Sequence, residues 1–372
     1  MSTVQYHVGE FPPKTLEWER LIPLVGSANA ALARYDGVLT AIPNATVLLS
    51  PLTTQEAVLS SRIEGTQATM GEVLEFEAEG EKKDISEDKR NDIHEVLNYR
   101  QAMRHAENCL QDLPLCQRVI KETHAILLDH VRGHGKSPGE YRRIPNWIGP
   151  EGCSIENARY IPISAGNLDG AMGAWDIYAN NPALDSLIQL AILHAEFEAL
   201  HPFLDGNGRL GRMFVPLFLF QAGLLHRPMF YISGYLERNR DVYYEKLLAV
   251  SRDNDWTGWC VFFLSAIKEQ AEENLTKTNA ILDLYNRLKI QMVDLTHSQY
   301  AIHALDWIFD KPIFKSSDFV ESSHIPAPTA RRILSVLRKE GLIKTLLKSS
   351  GSQSAVYAFH PLLNIAEGRE AF

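Results

Sequence analysis

The stretch of sequence that decides the fold is His201-Pro202-Phe203-Leu204-Asp205-Gly206-Asn207-Gly208-Arg209-Leu210-Gly211-Arg212. It lies between two strongly apolar segments, Asp185–Leu200 and Asn207–Ala222, which predict two buried helices. The glycines of Gly206-Asn207-Gly208 leave backbone N–H groups unobstructed at the start of the second helix, where the helix dipole adds positive potential. The stretch therefore predicts an anion-binding site.

Four side chains of the same stretch suit a nucleotide phosphate. Arg209 and Arg212 lie three residues apart, so both guanidinium groups reach the same polyphosphate. Asp205 offers a hard carboxylate beside the phosphates, which suits a Mg²⁺ ion that keeps most of its waters. His201 ends the preceding helix, and an imidazole suits proton abstraction at neutral pH. Together these residues indicate a nucleotide phosphate-transfer site.

The stretch resembles the motif H-x-F-x-[DE]-G-N-G-R-x-x-R of the Fic family of adenylyltransferases, which it matches at every specified position. The resemblance implies a mainly α fold, with a Fic-type helical core and a β-hairpin flap that clamps the target segment. It also implies transfer of AMP from ATP to a Tyr, Thr or Ser hydroxyl of a target protein. We place the flap at Pro150–Asn157, where the resemblance locates it.

The resemblance assigns roles to individual positions. His201 would be the catalytic base, Phe203 would anchor the loop, and Asp205 would hold Mg²⁺. Asn239, with Tyr243 and Tyr244 close by, would contact the adenine; the alternative is that these three are ordinary helix residues. The full set expected to bind ATP and its phosphates is Gly206, Asn207, Gly208, Arg209, Leu210, Gly211, Arg212 and Asn239.

A second match lies upstream at Ser60-Ser61-Arg62-Ile63-Glu64-Gly65, which fits [ST]-x-x-x-E-[GN], the inhibitory motif of the same family. It ends an amphipathic helix N-terminal to the core. By the resemblance, Glu64 would pair with Arg212 and exclude the ATP γ-phosphate from its productive position. The alternative is a solvated glutamate at a helix end.

The last 75 residues predict a separate winged helix-turn-helix, with three helices near Tyr300–Phe309, Lys315–Val320 and Thr329–Glu340, then two strands. Arg331, Arg332, Arg338 and Lys339 lie on the third helix and Lys344 and Lys348 follow it, so the unit could meet duplex phosphates. A protein-interaction or target-presenting module is the competing interpretation.

We divide the chain into four parts: residues 1–110, an N-terminal arm and helical region with the inhibitory motif; 111–265, the Fic core; 266–297, a helical connector; and 298–372, the winged helix. Residues 1 to about 50 are rich in proline, which predicts an arm with short helical pieces on the surface.

Composition limits the function classes. The 372 residues are 45% hydrophobic and 22% charged, which is typical of globular chains and excludes a disordered one. A net charge of −9 excludes a basic surface over the whole chain. Four cysteines without CxxC spacing argue against a disulfide framework and a zinc knuckle. With no apolar leader or span evident, we expect a soluble, cytoplasmic protein without membrane partners.

Other motifs fail. Gly135-Lys136-Ser137 lacks the first glycine and the following helix of a phosphate-binding P-loop. His194-Ala195-Glu196 lacks the P-C-x-x-C of a zinc deaminase. The sequence therefore predicts an autoinhibited protein adenylyltransferase that uses ATP and Mg²⁺ and modifies a target protein and itself. Alternatives are an AMP-removing phosphodiesterase with the same site and a nucleotide-sensing transcriptional regulator, which the intact His201 disfavours. A homodimer is left open.

Overall fold

The computed structural model describes residues 3–42, 44–80, 85–132, 134–150, 152–350 and 353–372. The helices in chain order are α1 (Trp18–Ala41), α2 (Ala45–Leu48), α3 (Ser50–Ile63), α4 (Met70–Glu79), α5 (Glu87–Cys109), α6 (Gln117–Leu127), α7 (Ala165–Asn180), α8 (Ser186–Leu200), α9 (Asn207–Gln221), α10 (Ser233–Arg238), α11 (Arg240–Asp253), α12 (Trp256–Thr296), α13 (Ala301–Asp310), α14 (Ser316–Ser322), α15 (Ala327–Lys339) and α16 (His360–Glu367). The strands are β1 (Val4–Gln5), β2 (Tyr160–Ile161), β3 (Ile313–Lys315), β4 (Lys344–Leu347) and β5 (Val356–Ala358). The predicted mainly α class is confirmed.

The chain forms two compact units. The first comprises Met1–Asp36, Leu59–Thr66 and Leu97–Glu272, and the second comprises Gly37–Val58, Gln67–Val96 and Glu273–Phe372. This division cuts across the predicted N-terminal region, because its residues are shared between the two units. The four-part division stays a prediction. Among the described residues, none of the helices combines the length and the apolar character needed to cross a membrane.

The core of the first unit is built on α7, α8 and α9, which pack side by side. Nearly every residue of α8 and α9 is buried, as their all-round apolar sequence predicted. Asp185 begins α8 by accepting hydrogen bonds from the backbone N–H groups of Leu187 and Ile188. The loop of residues 201–206 therefore lies between two firmly packed helices.

The N-terminal region differs from the predicted arm, since α1 is a helix of 24 residues. Leu21, Ala28, Leu32 and Tyr35 recur at helical spacing and are buried. That burial outweighs the interior Pro23, which led the sequence argument away from a helix. Before α1, β1 pairs in parallel with β2.

The predicted β-hairpin at Pro150–Asn157 is also corrected. Among the described residues of that segment no strand is present; Ile155–Asn157 form a 3₁₀ turn instead. A single antiparallel bridge between Ile148 and Tyr160 closes the segment. Aromatic and β-branched residues suggested strands, but the intervening glycines and proline favour turns.

In the second unit, the last helices and strands follow the predicted order with small shifts of boundary. The strands form an antiparallel sheet in the order β3-β5-β4, and α14 packs on α15. Strand β3 and the final helix α16 were not predicted. Gly351 and Ser352 of the strand connection lie outside the described residues. The element order agrees with a winged helix-turn-helix, and that assignment stays a prediction.

Candidate active site

The loop after α8 turns sharply at both ends. His201 ends α8 in the left-handed region, with φ 47° and ψ 60°, and Gly206 precedes α9 with φ 75°. A non-glycine residue in that region is uncommon and costs free energy, so the surrounding contacts must hold it there.

One set of contacts closes the loop on itself. Asn207 Nδ2 donates to the Phe203 carbonyl at 2.9 Å, and its Oδ1 accepts from the Phe203 N–H at 2.9 Å. Phe203 is fully buried and stacks on His124 with ring centroids 3.7 Å apart. The asparagine thus serves as an internal brace of the loop.

His124 of α6 ties the loop to its surroundings. The Gly139 N–H donates to its Nδ1 at 2.8 Å, so Nε2 carries the proton and donates to the Asp205 carbonyl at 2.9 Å. Burial lowers the pKa of His124 to about 4, which keeps this ring neutral. No motif pointed to His124 in the sequence.

Arg142 is a second residue that sequence reasoning missed. It is 3% exposed, and its guanidinium donates to four carbonyls. Nε bonds to the His201 carbonyl at 2.9 Å, Nη2 bonds to those of Leu200, at 3.2 Å, and Ile163, and Nη1 makes a long bond of 3.5 Å to that of Ile144. Its own backbone N–H donates to the Pro202 carbonyl. Arg142 therefore holds the backbone on both sides of the His201 side chain.

The His201 side chain has the properties of a base. Burial lowers its pKa to about 4, although the negative charge of Glu64 opposes this shift. The imidazole is consequently neutral at physiological pH and is able to accept a proton. Its Nδ1 is buried and has no hydrogen-bond partner within the part of the chain that the structure describes.

Arg212 lies fully buried on the first turns of α9 and is paired with the end of α3. Nη2 donates to Glu64 Oε1 at 2.7 Å and to the Ser60 carbonyl at 2.8 Å, while Nε donates to Ser60 Oγ at 3.0 Å. Burial alone would lower the pKa of Arg212, but the charge of Glu64 raises it above its usual value. Nη1 is buried without a hydrogen-bond partner among the described residues.

Asp205 is held by cationic neighbours. Its Oδ2 accepts from Lys136 Nζ at 3.0 Å, its Oδ1 accepts from the Gly206 N–H at 2.7 Å, and Arg209 Nη2 lies 3.7 Å from Oδ1. The carboxylate is 31% exposed, and Lys136 approaches it from an exposed position. A reachable oxygen donor of this kind fits a hydrated Mg²⁺, provided that Lys136 withdraws.

A cavity of about 420 Å³ opens beside His201 and Arg212, and Asp205 does not line it. Its wall includes Glu64, Glu198, His201, Gly208, Arg212 and Tyr244. A side chain at Gly208 would collide with the Glu64 carboxylate, so the first turn of α9 approaches Glu64 as closely as glycine allows. The candidate base His201, Arg212 and the inhibitory candidate Glu64 thus share one cavity.

Glu198 is a further carboxyl of this cavity. Burial raises its pKa to about 8, and the positive charge of Arg212 only partly offsets this. Glu198 is therefore protonated at neutral pH, while its Oε1 has no hydrogen-bond partner in the described part of the chain. No sequence motif pointed to Glu198.

Not all residues of the expected ATP-binding set reach the cavity. Leu210 is fully buried, and the Gly211 carbonyl contacts His194 Nδ1 at 3.1 Å. Asn239 lies between α10 and α11, where its amide donates to the Tyr235 carbonyl, and it does not line the cavity. Tyr244 does line it. Adenine contact by Asn239 stays a prediction.

The geometry agrees with two sequence-family matches. Residues 22–108 match the model described as Fic/DOC family N-terminal, and residues 114–219 match the model described as Fic/DOC family. The chain belongs to the Fic/DOC family. The family match includes Glu64, Arg142 and the whole stretch 201–212.

Solved structures share the fold of this Fic chain. A Fic family protein from Desulfovibrio desulfuricans has a TM-score of 0.60 at 20% identity, over 94% of this chain and 98% of that one. A Fic domain containing signaling protein from Bacteroides thetaiotaomicron has a TM-score of 0.56 at 18% identity, over 68% and 97%. The predicted Fic-type helical fold is confirmed.

Among proteins with curated names, this Fic chain is similar to the Protein adenylyltransferase Fic of Drosophila grimshawi. The two are 29% identical over 168 residues, which is 43% of this chain and 32% of that protein. The chain thus spans about a third of the length of that relative.

Proposed function

We propose that this Fic chain is a protein adenylyltransferase that transfers AMP from ATP to a hydroxyl side chain of a target protein, itself included. The observation that carries the proposal is the convergence of His201, Gly208 and Arg212 on one cavity. The names of the Drosophila relatives support the same activity.

In the proposed reaction, neutral His201 takes the proton of the target hydroxyl. The hydroxyl oxygen forms a bond to the α-phosphorus of ATP while the bond from that phosphorus to the bridging β-phosphate oxygen breaks. Pyrophosphate leaves, and the imidazolium later returns its proton to solvent. The low pKa of His201 favours this return.

Arg212, the start of α9 and Asp205 would bind and orient the phosphates of ATP. Nη1 of Arg212 is a buried donor that a phosphate oxygen would satisfy, and the N-terminal turn of α9 adds N–H donors and the helix dipole. Mg²⁺ at Asp205 would neutralise phosphate charge. Since phosphoryl-type transfer depends on positioning and electrostatic stabilisation, a rigid loop clamped by Arg142 and His124 suits it.

The proposal includes autoinhibition by Glu64. Its carboxylate accepts a hydrogen bond from Arg212 Nη2 at 2.7 Å and lines the cavity beside Gly208. A γ-phosphate that used the same Nη2 would compete with Glu64 and would be repelled by it. Inhibition would therefore alter how ATP is seated more than whether it binds.

Incubation with labelled ATP tests the activity. Wild type and the Glu64→Gly variant are each incubated with ATP labelled at the α-phosphorus or at the γ-phosphorus, with Mg²⁺. Transfer of AMP labels protein from the α-position and leaves it unlabelled from the γ-position. Equal labelling from both positions, or none in the Glu64→Gly variant, would contradict the proposal.

A second candidate uses the same cavity for the reverse chemistry. Glu64 shares the cavity wall with His201, and in this candidate function its carboxylate would orient a water against an AMP-modified side chain. Incubation of the AMP-modified protein separates the two candidates, because only a phosphodiesterase releases AMP faster in wild type than in the Glu64→Gly variant.

A further inference from the structure

Three different metal-ligating side chains meet where α5 ends and α6 runs past it. His105 and Cys109 lie four residues apart on one face of α5, and Glu122 faces them from α6. Their ligand atoms, His105 Nε2, Cys109 Sγ and Glu122 Oε2, all lie within 4.8 Å of one another. The cluster belongs to the first unit and is not used by the proposed reaction.

The separations between these atoms match the edges of a tetrahedron around one metal ion. Sγ lies 3.4 Å from Nε2 and 4.0 Å from Oε2, and Nε2 lies 3.4 Å from Oε2. Zinc bonds of about 2.3 Å to sulfur and about 2.0 to 2.2 Å to nitrogen and oxygen require edges of roughly 3.4 to 3.6 Å at tetrahedral angles. The 4.0 Å separation between Sγ and Oε2 is slightly too long, and a small movement of the Glu122 carboxylate would shorten it to the required edge.

The surroundings of the cluster support a bound cation. Arg118 Nε donates to Glu122 Oε1 at 2.8 Å, which orients the carboxylate and leaves Oε2 facing the other two ligands. The His105 and Glu122 side chains are 33% and 38% exposed, so an ion can enter from solvent.

We propose that His105, Cys109 and Glu122 bind one Zn²⁺ ion, with the fourth coordination position open to solvent. A mixed set of thiolate, imidazole and carboxylate favours zinc over Mg²⁺ or Ca²⁺, which take oxygen ligands. On binding, Zn²⁺ replaces the thiol proton of Cys109, and that proton goes to solvent.

The ion would act at a distance on the catalytic loop. It joins the end of α5 to α6, and α6 also carries His124, two residues beyond Glu122. His124 in turn holds the Asp205 carbonyl and stacks on Phe203. We therefore expect the ion to stabilise α6, which holds the catalytic loop through His124, and to take no part in the reaction itself.

Titration of the purified full chain with Co²⁺, followed by Zn²⁺, tests the proposal. One equivalent of Co²⁺ should give the thiolate-to-metal charge-transfer band and the intense visible bands of tetrahedral cobalt, and Zn²⁺ should displace both. Cys109→Ser should abolish the charge-transfer band and weaken Zn²⁺ binding by about 100-fold or more, since it removes a direct ligand. Cys153→Ser, at a cysteine outside the cluster, should change neither.

Two further variants separate this site from incidental surface binding. Arg118→Ala should weaken Zn²⁺ binding by about tenfold, because it frees the carboxylate that Arg118 orients. His134→Ala removes a member of the exposed group Asp129, His130 and His134 and should leave Zn²⁺ binding unchanged. Zn²⁺ should raise the unfolding temperature of wild type but not that of Cys109→Ser.

The proposal is overturned if wild type binds no Co²⁺ at one equivalent. It is equally overturned if the charge-transfer band survives in Cys109→Ser, or if only His134→Ala weakens Zn²⁺ binding. None of these measurements depends on adenylyltransferase activity, so they stand whether or not that function holds.

Discussion

Glu64 Oε1 lies 2.7 Å from Nη2 of Arg212, although 148 residues separate the two along the chain. Arg212 is fully buried, whereas the Glu64 side chain is 36% exposed. The exposed partner of such a pair withdraws more easily than the buried one. Under the proposed autoinhibition, Glu64 would therefore leave and Arg212 would stay in place to meet a phosphate.

Replacing Glu64 by glycine should raise self-modification by about tenfold or more, if the lost contact is worth about 1.4 kcal/mol. Glycine is tolerated because Glu64 follows the last turn of α3. The rate of α-phosphate labelling measures the effect. Glu64→Gln, which keeps the shape without the charge, should give a smaller rise in labelling rate. The double variant Glu64→Gly, His201→Ala should show no labelling.

Equal labelling rates in wild type and Glu64→Gly would show that Glu64 does not restrain the reaction. ATP affinity supplies an independent check. It should change less than the labelling rate does, because the carboxylate competes for one phosphate position and leaves the rest of the nucleotide untouched.

His201→Ala should abolish transfer and leave ATP affinity within roughly tenfold, about 1.4 kcal/mol. The pH profile gives a second readout, best measured in Glu64→Gly. With a pKa near 4, His201 stays neutral as the pH falls from 7.5 to 5.5, so the rate should remain nearly constant. An unperturbed histidine with a pKa of about 6.5 would lose about tenfold over that range.

Loss of the charge of Glu64 strengthens this expectation. That charge raises the pKa of His201, so its removal moves the pKa further down. A tenfold fall in rate between pH 7.5 and 5.5 would therefore contradict the assignment of buried His201 as the base.

The sequence was sufficient to recognise the family, because the residues that carry its motif are contiguous. Residues 201–212 hold the proposed base, the proposed anion site and both arginines in one segment, and their roles stay predictions. Arg142 and His124 could not be found in this way, because they act through backbone carbonyls that any residue possesses. Helix α1 was missed because prolines were weighted above apolar spacing.

Arg142→Met should lower kcat for transfer by about tenfold or more and leave KM for ATP within about threefold, because Arg142 holds the backbone at His201 and does not line the cavity. It should also destabilise the fold by at least about 3 kcal/mol, since four carbonyls lose a donor. Arg142→Lys should recover part of the stability but not kcat, because lysine lacks the guanidinium fork.

Arg143→Ala is the matched control for Arg142, as it changes the neighbouring arginine, whose side chain is 89% exposed. Denaturant unfolding and steady-state kinetics are measured on all three variants. A parallel rise in KM with unchanged kcat in Arg142→Met would show that Arg142 shapes ATP binding and does not position the base.

Glu198→Gln should change the dependence of stability on pH. The folded-state pKa of Glu198 is about 8, above the ordinary value, so the folded protein retains a proton that the unfolded chain has released. Wild-type stability is therefore favoured at low pH and falls as the pH rises from about 4.5 to 8. Glutamine removes this loss. As the pH rises from 5 to 8.5, the free energy of unfolding of the variant should therefore increase by at least about 1.4 kcal/mol relative to that of wild type.

Urea unfolding at a series of pH values measures this gain. Glu19→Gln, at an exposed carboxyl of α1, serves as the control and should run parallel to wild type. Parallel curves for wild type and Glu198→Gln would mean that Glu198 is not held protonated in the fold.

A DNA-binding role for the predicted winged helix requires exposed cations on α15. Arg331, Arg332, Arg338 and Lys339 are all exposed, but Arg332 also donates to the Thr296 carbonyl and so has a structural role. The triple variant Arg331→Ala, Arg338→Ala, Lys339→Ala should therefore fold normally and lose duplex affinity. It keeps the full chain, since residues 298–372 share their compact unit with other segments.

Salt dependence decides whether phosphates are involved. Each neutralised phosphate contributes about −0.9 to the slope of log affinity against log salt concentration, so loss of three cations should flatten the slope by about two to three. Arg143→Ala, in the other compact unit, should leave it unchanged. If wild type binds no duplex, or binds with an affinity indifferent to salt, the basic face of α15 does not contact nucleic acid, and a target-presenting role becomes the better explanation of its charge.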